Sequence, residues 1–510
     1  MEEPIDPVIR SEPVATTLPA RASDGAPAAT SSAAAAAAAR PVRVRALEAA
    51  LLAAALLSLA AFAYRLAAGP FAFELGPVRV GVTYPSAPVA LALGFLAAAL
   101  VTRARAAGHE AVIRVPSLVL TLFALAAVTI PELRKVDLAV VYLVALLFGI
   151  EGVVRGAFPV RRTPLDLPIA LFLGSQILTA VVADPAGNSL GEFLSGTLPP
   201  VILLYAVYEH GRRSPAATKA VIGAIVLSVV VLLATGYRRY FATSESFFIA
   251  NLGWYTRTGR FLNLTLPLLA ALALHRGGSI RLRLGAAGLV VASAVALLLT
   301  QSRGAWAGAV ASFAFLGVFL DRRILLVLAG SLLLTLAAAP QRLVDHARSM
   351  FDFARFDQSS TVSPLKYRPA AWSYAVDSIA DKPLLGHGLG AKGFRDGFVE
   401  TVAPPPNHGI SNAHNVFLEV TYESGLAGLA AFLALLAAVF HRGFKVRAIR
   451  ARAPSGSPLA ARFPLAIVSL AALVGVLVHG LVSHVTHDAL AGLFFAQCAL
   501  VLLDSPEGEA

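Results

Sequence analysis

The sequence predicts an all-α polytopic membrane protein of about fourteen spanning helices (12–14), with one long, partly helical loop on the outer face. Three observations predict this. Of 510 residues, 57% are hydrophobic and only 14% charged, with a mean hydropathy of +0.72, whereas soluble domains carry about 25% charged residues. Apolar runs close to the roughly twenty residues that a bilayer-crossing helix needs recur along the chain. Arginines and lysines gather in alternate connections, as a cytoplasmic-side bias requires.

Residues 1–45 are rich in Ala, Pro, Ser and Thr and include the run SSAAAAAAA. Such a segment buries too little apolar surface to offset its ordering entropy, so a disordered cytoplasmic tail is expected. It has no compact apolar core of the secretory-signal kind, which makes the first helix a retained anchor. Spans are predicted near 46–69, 86–102, 116–131, 137–154, 165–183, 193–209 and 217–236, giving an N-terminal helical region over 46–236. Further spans lie near 258–275, 284–300, 304–320, 324–339, 414–440, 463–482 and 488–503. Region 237–440 contains the candidate chemistry, 441–503 holds the last helices, and 504–510 is a short cytoplasmic tail.

With both termini cytoplasmic, the inner connections collect Arg40, Arg43 and Arg45, then Arg103, Arg105 and Arg114, and finally the basic run from Arg442 to Arg462. The net charge of +12 is then largely topological, and no nucleic-acid partner is expected. The single cysteine, Cys498, excludes an intrachain disulfide. The same orientation places the long segment 340–413 outside, where long insertions on a rigid scaffold carry function.

Three elements converge on the outer face. In LLLTQSRGAWAG, Arg303 sits at an outer turn, where a guanidinium is expensive unless paired or lining a wet cavity, and its planar fork suits phosphate. In YTRTGRFLNLTLPLL, Arg257 and Arg260 flank the entrance of a span, and the nearby YRRYF adds Arg238 and Arg239. Four arginines in an outer connection run against the orientation rule, and either a polyanionic ligand or an internal carboxylate such as Glu245 offsets them. The third element is the long segment with its re-entry helix, NAHNVFLEVTYESGLAGLAAFL. His414 there can exchange a proton near neutral pH or donate to a phosphate oxygen. Glu419 and Glu423, four apart, share a helix face and either hold arginines or meet substrate. His346, His387 and His408 fit no metal signature and read as ordinary loop histidines; no metal and no cofactor is expected.

The order TGRFLN, SRGAW, then Arg368 and Trp372 in R-x3-W with Pro383, Gly386 and Gly388 in P-x2-G-x-G, then HN-x2-L-x4-E-x-G-x2-G, resembles the O-antigen ligase and polymerase superfamily. His414 and Gly425 stand at the H-x10-G spacing of ligases, and Asn415, Glu423 and Gly428 complete that motif. The usual Asn-Pro-Asn after the glycine is reduced to Phe261-Leu262-Asn263. The resemblance implies a GT-C-like, metal-independent, inverting glycosyltransferase of the bacterial inner membrane. Its donor would be a glycan on polyprenyl (undecaprenyl) diphosphate, and its acceptor a hydroxyl of lipid A-core or of another glycan. It implies catalytic roles for His414, Arg303 and Arg260, and substrate-binding roles for Arg257, Arg238, Arg239, Arg368, Trp372, Asn415 and Glu423. Ligase, polymerase and protein-glycosylating readings differ only in acceptor. A transporter or lipid-linked glycan flippase is the rival from another class, against which the lack of an internal repeat weighs.

Overall fold

The computed structural model describes residues 42–68, 71–75 and 78–82 and, apart from short gaps, 111–338, 368–401 and 412–504. After helix α1 (Val42–Ala68), a small antiparallel hairpin pairs β1 (Phe71–Leu75) with β2 (Val78–Val82), Phe71 opposite Val82. Everything else described is helix or connection. The helices are α2 (Ala111–Ala127), α3 (Arg134–Arg155), α4 (Asp166–Val182), α5 (residues 188–213) and α6 (Pro215–Thr243). Then follow α7 (Tyr255–Leu274), α8 (Ile280–Leu299), α9 (Arg303–Phe319) and α10 (Arg323–Ala338). The outer segment contributes α11 (Arg368–Asp381) and α12 (Ala391–Thr401), and the chain closes with α13 (Val416–Arg452), α14 (Leu465–Gly480) and α15 (Leu490–Leu503).

Helices occupy every predicted apolar run except that near 86–102, most of which lies outside the described residues, as do 1–41, 339–367 and 402–411. Among the described residues, five helices are long and apolar enough to cross a membrane: the Val136–Arg155 part of α3, then α5, α6, α8 and α13. Shorter apolar stretches, of 10–17 residues, occur in α1, α2, α4, α9, α10, α14 and α15. Within α5, residues Phe193–Thr197 form a π turn immediately before Leu198-Pro199-Pro200. Two prolines remove two backbone donors, and the wider turn absorbs that mismatch.

Helices α14 and α15 are apolar all round, and they and α7 are buried on nearly every face, as central helices must be. They approach neighbours closely because small residues stand at the contacts, the usual basis of helix association in a bilayer. Gly308 of α9 faces the Gly475 carbonyl of α14, Ser312 donates to the Ala471 carbonyl at 2.7 Å, and Gly259 of α7 faces Ala305 of α9. At one end of the bundle, Glu151 accepts from Arg114, Arg155 and Arg213, and Glu209 from Arg212 and Arg213. The basic connections there are thus partly neutralised within the protein.

Helix α13 differs from its predicted span in two ways. It runs to Arg452 instead of stopping near residue 440, because HRGFKVRAIRAR contains good helix formers whose arginines bond to carbonyls at neighbouring helix ends. It is also broken: Ser424 (φ −124°, ψ 15°) and Gly425 (φ 66°, ψ −169°) separate a short outer piece from the long inner one.

Candidate active site

The turn between α8 and α9 fixes Arg303. Gln301 adopts φ 52°, Ser302 caps α9 by accepting from the Ala305 amide, and Trp306 Nε1 donates 2.9 Å to the Leu297 carbonyl, tying the two helices across the turn. Arg303, the first residue of α9, is left half-buried at that end. Arg260, one and a half turns into α7, is only 1% exposed.

The NAHN stretch is equally specific. Asn412 Oδ1 accepts from the His414 amide at 3.0 Å, holding His414 at φ 49°, a region that side chains with a Cβ rarely enter. Asn415 then caps α13, its Oδ1 accepting from the amides of Phe417 and Leu418. From α11, Trp372 Nε1 donates 2.8 Å to the Ala413 carbonyl. Arg368, one turn earlier on α11, is thereby placed beside His414. Each residue of R-x3-W has a separate task in the same junction.

Electrostatic coupling joins these groups, with Arg368 at the centre. Its charge acts on His414 and His479, and it is itself acted on by Tyr255 and Arg303. Arg260 also acts on His479, and Tyr255 on Arg303. The Arg368 Nε is buried with no hydrogen-bond partner, and Arg368 makes no ion pair among the described residues. Burial presses its guanidinium below the ordinary range, with the Tyr255 phenol opposing and the Arg303 charge adding to the shift. Burial, then Arg368, push the His414 imidazole down to about 4, so it is neutral at physiological pH. Three guanidiniums from α7, α9 and α11 and a neutral imidazole ahead of α13 therefore form one cationic cluster. Such a cluster can grip a multivalent oxyanion and hold a proton acceptor beside it.

The glycines of the outer segment do structural work. The loop after α11 docks into the break of α13: the His387 amide donates to the Tyr422 carbonyl at 2.9 Å, and the Gly388 amide to the Glu423 carbonyl at 3.1 Å. In return the Leu426 amide donates to the Pro383 carbonyl at 2.7 Å. Carbonyls and amides freed by the kink are thus satisfied by the loop, which explains why both kink and GHGLG occur. A Cβ at Gly386 would meet the Glu423 backbone, and one at Gly425 the Leu384 backbone. Glu423, 3% exposed, accepts from the Gly390 amide at 2.9 Å, and Gln176 of α4 donates to Ser424 Oγ.

The remaining sequence candidates lie as follows. Arg257 is partly buried on α7, three residues before Arg260. Arg238 and Arg239 are exposed near the end of α6 and line a separate groove of about 560 Å³ with Thr235, Thr243 and Asn251. Glu419 is buried in the first turn of α13. His387 stacks on Tyr422, ring centroids 4.9 Å apart, and its Nε2 lies 2.6 Å from the Ser378 carbonyl, as an ordinary loop histidine would. His346 and His408 lie outside the described residues.

Sequence reasoning missed His479 and Tyr255. His479, 1% exposed in the last turn of α14, approaches Gly304 and Gly259, and its Nδ1 has no hydrogen-bond partner among the described residues. An imidazole at the end of the apolar run LAIVSLAALVGVLVHG is itself a signal, since an ionisable group in a span is a functional candidate by default. No group of three or more His, Cys, Asp or Glu side chains suited to a metal ion occurs among the described residues.

Comparison with known proteins agrees with the motifs. Residues 288–433 match a family model described as O-antigen ligase. The match takes in α9 to α12 and the outer piece of α13, hence Arg303, Arg368, Trp372 and His414, while Arg260, Tyr255 and His479 come from outside it. No curated protein matches the chain.

Proposed function

Taking residues 288–433 as an O-antigen ligase domain, we propose that this membrane protein transfers a glycan from a polyprenyl diphosphate carrier to an acceptor hydroxyl. The observation that carries the reading is the buried Arg368 guanidinium, without an ion pair among the described residues, beside Arg303 and the neutral His414. A buried cation calls for an anion, and a diphosphate supplies one. In this reading the cluster faces the periplasm of a bacterial inner membrane with both termini cytoplasmic, an orientation that the bias of the basic connections supports.

In this mechanism Arg303, Arg368 and Arg260 hold the diphosphate and stabilise the charge that develops as the anomeric C–O bond breaks. The acceptor oxygen attacks the anomeric carbon from the opposite side, giving inversion in one displacement. His414 accepts the hydroxyl proton as the new bond forms and passes it to solvent or to the departing diphosphate. Guanidiniums carry the charge stabilisation, so the scheme needs no metal. A bound diphosphate opposes the Arg368 charge at His414 and raises the basicity of the imidazole, so the base strengthens only when donor is present. Arg257 supports Arg260 from the same helix face. Arg238 and Arg239, in their separate groove, fit contact with acceptor or growing glycan better than contact with the diphosphate.

The H-x10-G spacing from His414 to Gly425 favours a ligase acting on lipid A-core over a polymerase that extends another carrier-linked glycan. Electrophoresis of surface polysaccharide from a deletion strain tests this. Full-length polymer left unattached supports the ligase; single repeats attached to core indicate the polymerase; unchanged polysaccharide rejects both.

A further inference from the structure

Helices α7, α9 and α13 each have one end at the Arg368 cluster and the other at the far side of the bundle, and α14 returns from there. At that far side a cavity of about 630 Å³ opens among the ends of these helices and α15. Four guanidiniums line it, those of Arg276, Arg447, Arg450 and Arg462, against the two carboxylates of Asp321 and Asp504, leaving an excess of two positive charges. Asp504 is committed to Arg450, whose Nη1 lies 3.0 and 3.1 Å from its two oxygens, and to the Ala466 amide. Asp321 accepts from the Arg323 amide.

Simple capping of helix ends accounts for two of the arginines. Arg447 Nε donates to the Phe319 carbonyl at 3.2 Å with its guanidinium over the Phe319 ring, and Arg450 donates to the carbonyls of Phe463 and Arg462. It does not account for the side chains of Arg276 and Arg462, which are exposed at the rim and form no ion pair among the described residues, although the Arg462 charge acts on Asp504, nor for the cavity volume. The lining also includes the apolar side chains of Leu274, Phe319, Leu320 and Ile467. It continues onto the bundle surface, where Leu274 and Val318 are more than half exposed. A charged rim together with an apolar lining matches an amphiphile whose head is an anion.

We infer that this cavity binds the phosphate headgroup of an anionic phospholipid, with Arg276 and Arg462 closing on the phosphate and the acyl chain lying along Leu274. In the orientation proposed above, the lipid comes from the cytoplasmic leaflet. The site is separate from glycan transfer and is tested without it.

The full-length protein is extracted and equilibrated with mixed micelles of equal parts phosphatidylcholine and phosphatidylglycerol, and co-purified lipid is measured by native mass spectrometry. The expected result is selective retention of phosphatidylglycerol, reduced about tenfold by the double substitution Arg276→Gln/Arg462→Gln. Arg281→Gln, an exposed cation on the same side but outside the cavity, should leave retention unchanged. Equal retention by wild type and the double variant overturns the inference, as does equal retention of the two lipids. Displacement by inorganic phosphate in a lipid-free detergent, with no preference among lipids, would mark a free-phosphate site and also overturn it. Because both substituted residues are surface-exposed, matched thermal unfolding of the two proteins separates lost binding from lost folding.

Discussion

Trp372 Nε1 donates a 2.8 Å hydrogen bond to the carbonyl of Ala413, the residue immediately before His414. That bond, with the packing of Ala371 and Ala413 in one cluster, ties the outer-segment helix to the backbone just before His414. Replacing Trp372 by Phe keeps an aromatic ring and removes the Nε1 donor together with part of the indole volume. A fall in kcat of about tenfold with little change in donor affinity is expected, because proximity and orientation are lost while the anion site remains. Steady-state kinetics on reconstituted protein checks this; an unchanged kcat would show that Trp372 serves only as scaffold.

The pH dependence follows from the same junction. The His414 imidazole is held down to about 4 by burial and then by Arg368. It is therefore a neutral base in the free enzyme until the pH falls close to that value, and kcat/KM, which reports the free enzyme, should stay level to that point. A bound diphosphate raises the imidazole, so the acid limb of kcat should lie at higher pH than that of kcat/KM. Arg368→Gln removes one depressing charge and should move the kcat/KM limb upward. A limb that stays in place would separate His414 from Arg368.

Docking of the GHGLG loop into the α13 break makes Gly425 a critical backbone position. At φ 66°, and against the Leu384 backbone, an added methyl is strained twice. Gly425→Ala should destabilise the protein by at least about 2 kcal/mol and expose the outer segment to protease. Gly393, in α12 with nothing within 4 Å of an added Cβ, is the control. Its change to Ala should be neutral or slightly stabilising. Thermal unfolding in detergent and limited proteolysis read both; equal behaviour of the two variants would contradict the docking account.

His479 lies beneath the cluster, near Gly304 and Gly259 and in reach of the Arg260 and Arg368 charges. His479→Gln retains a polar group and should keep most donor binding; His479→Ala opens a void under both arginines and should weaken it about tenfold or more. Equilibrium donor binding separates the two. If both variants bind as wild type does, His479 is packing alone.

Much of this architecture was legible from composition and periodicity, because a bilayer leaves the chain few alternatives to apolar helices. Arg303 and His414 were legible for a related reason, since charged or titratable groups beside apolar runs stand out. The hub was not. Arg368 stood out only through its R-x3-W motif, because one more arginine in a polar outer segment carries little signal of its own, and its central place comes from burial and from its coupling to Tyr255, Arg303 and His414. The break in α13 was equally hidden, because Ser424-Gly425 inside a long apolar helix reads as a tolerated glycine until the loop that satisfies its backbone is placed beside it. For Glu423 the sequence left open whether it holds arginines or meets substrate; one of its oxygens accepts from the Gly390 amide.

The central claim is that guanidiniums from separate helices share one diphosphate, and equilibrium binding of a radiolabelled polyprenyl diphosphate to the purified protein tests it most directly. Arg260→Gln, Arg303→Gln and Arg368→Gln should each weaken binding by about tenfold or more. Pairs among them should fall short of the product of the single effects, as residues gripping one ligand do. Wild-type affinity in all three single variants, with the protein still folded, would contradict the account.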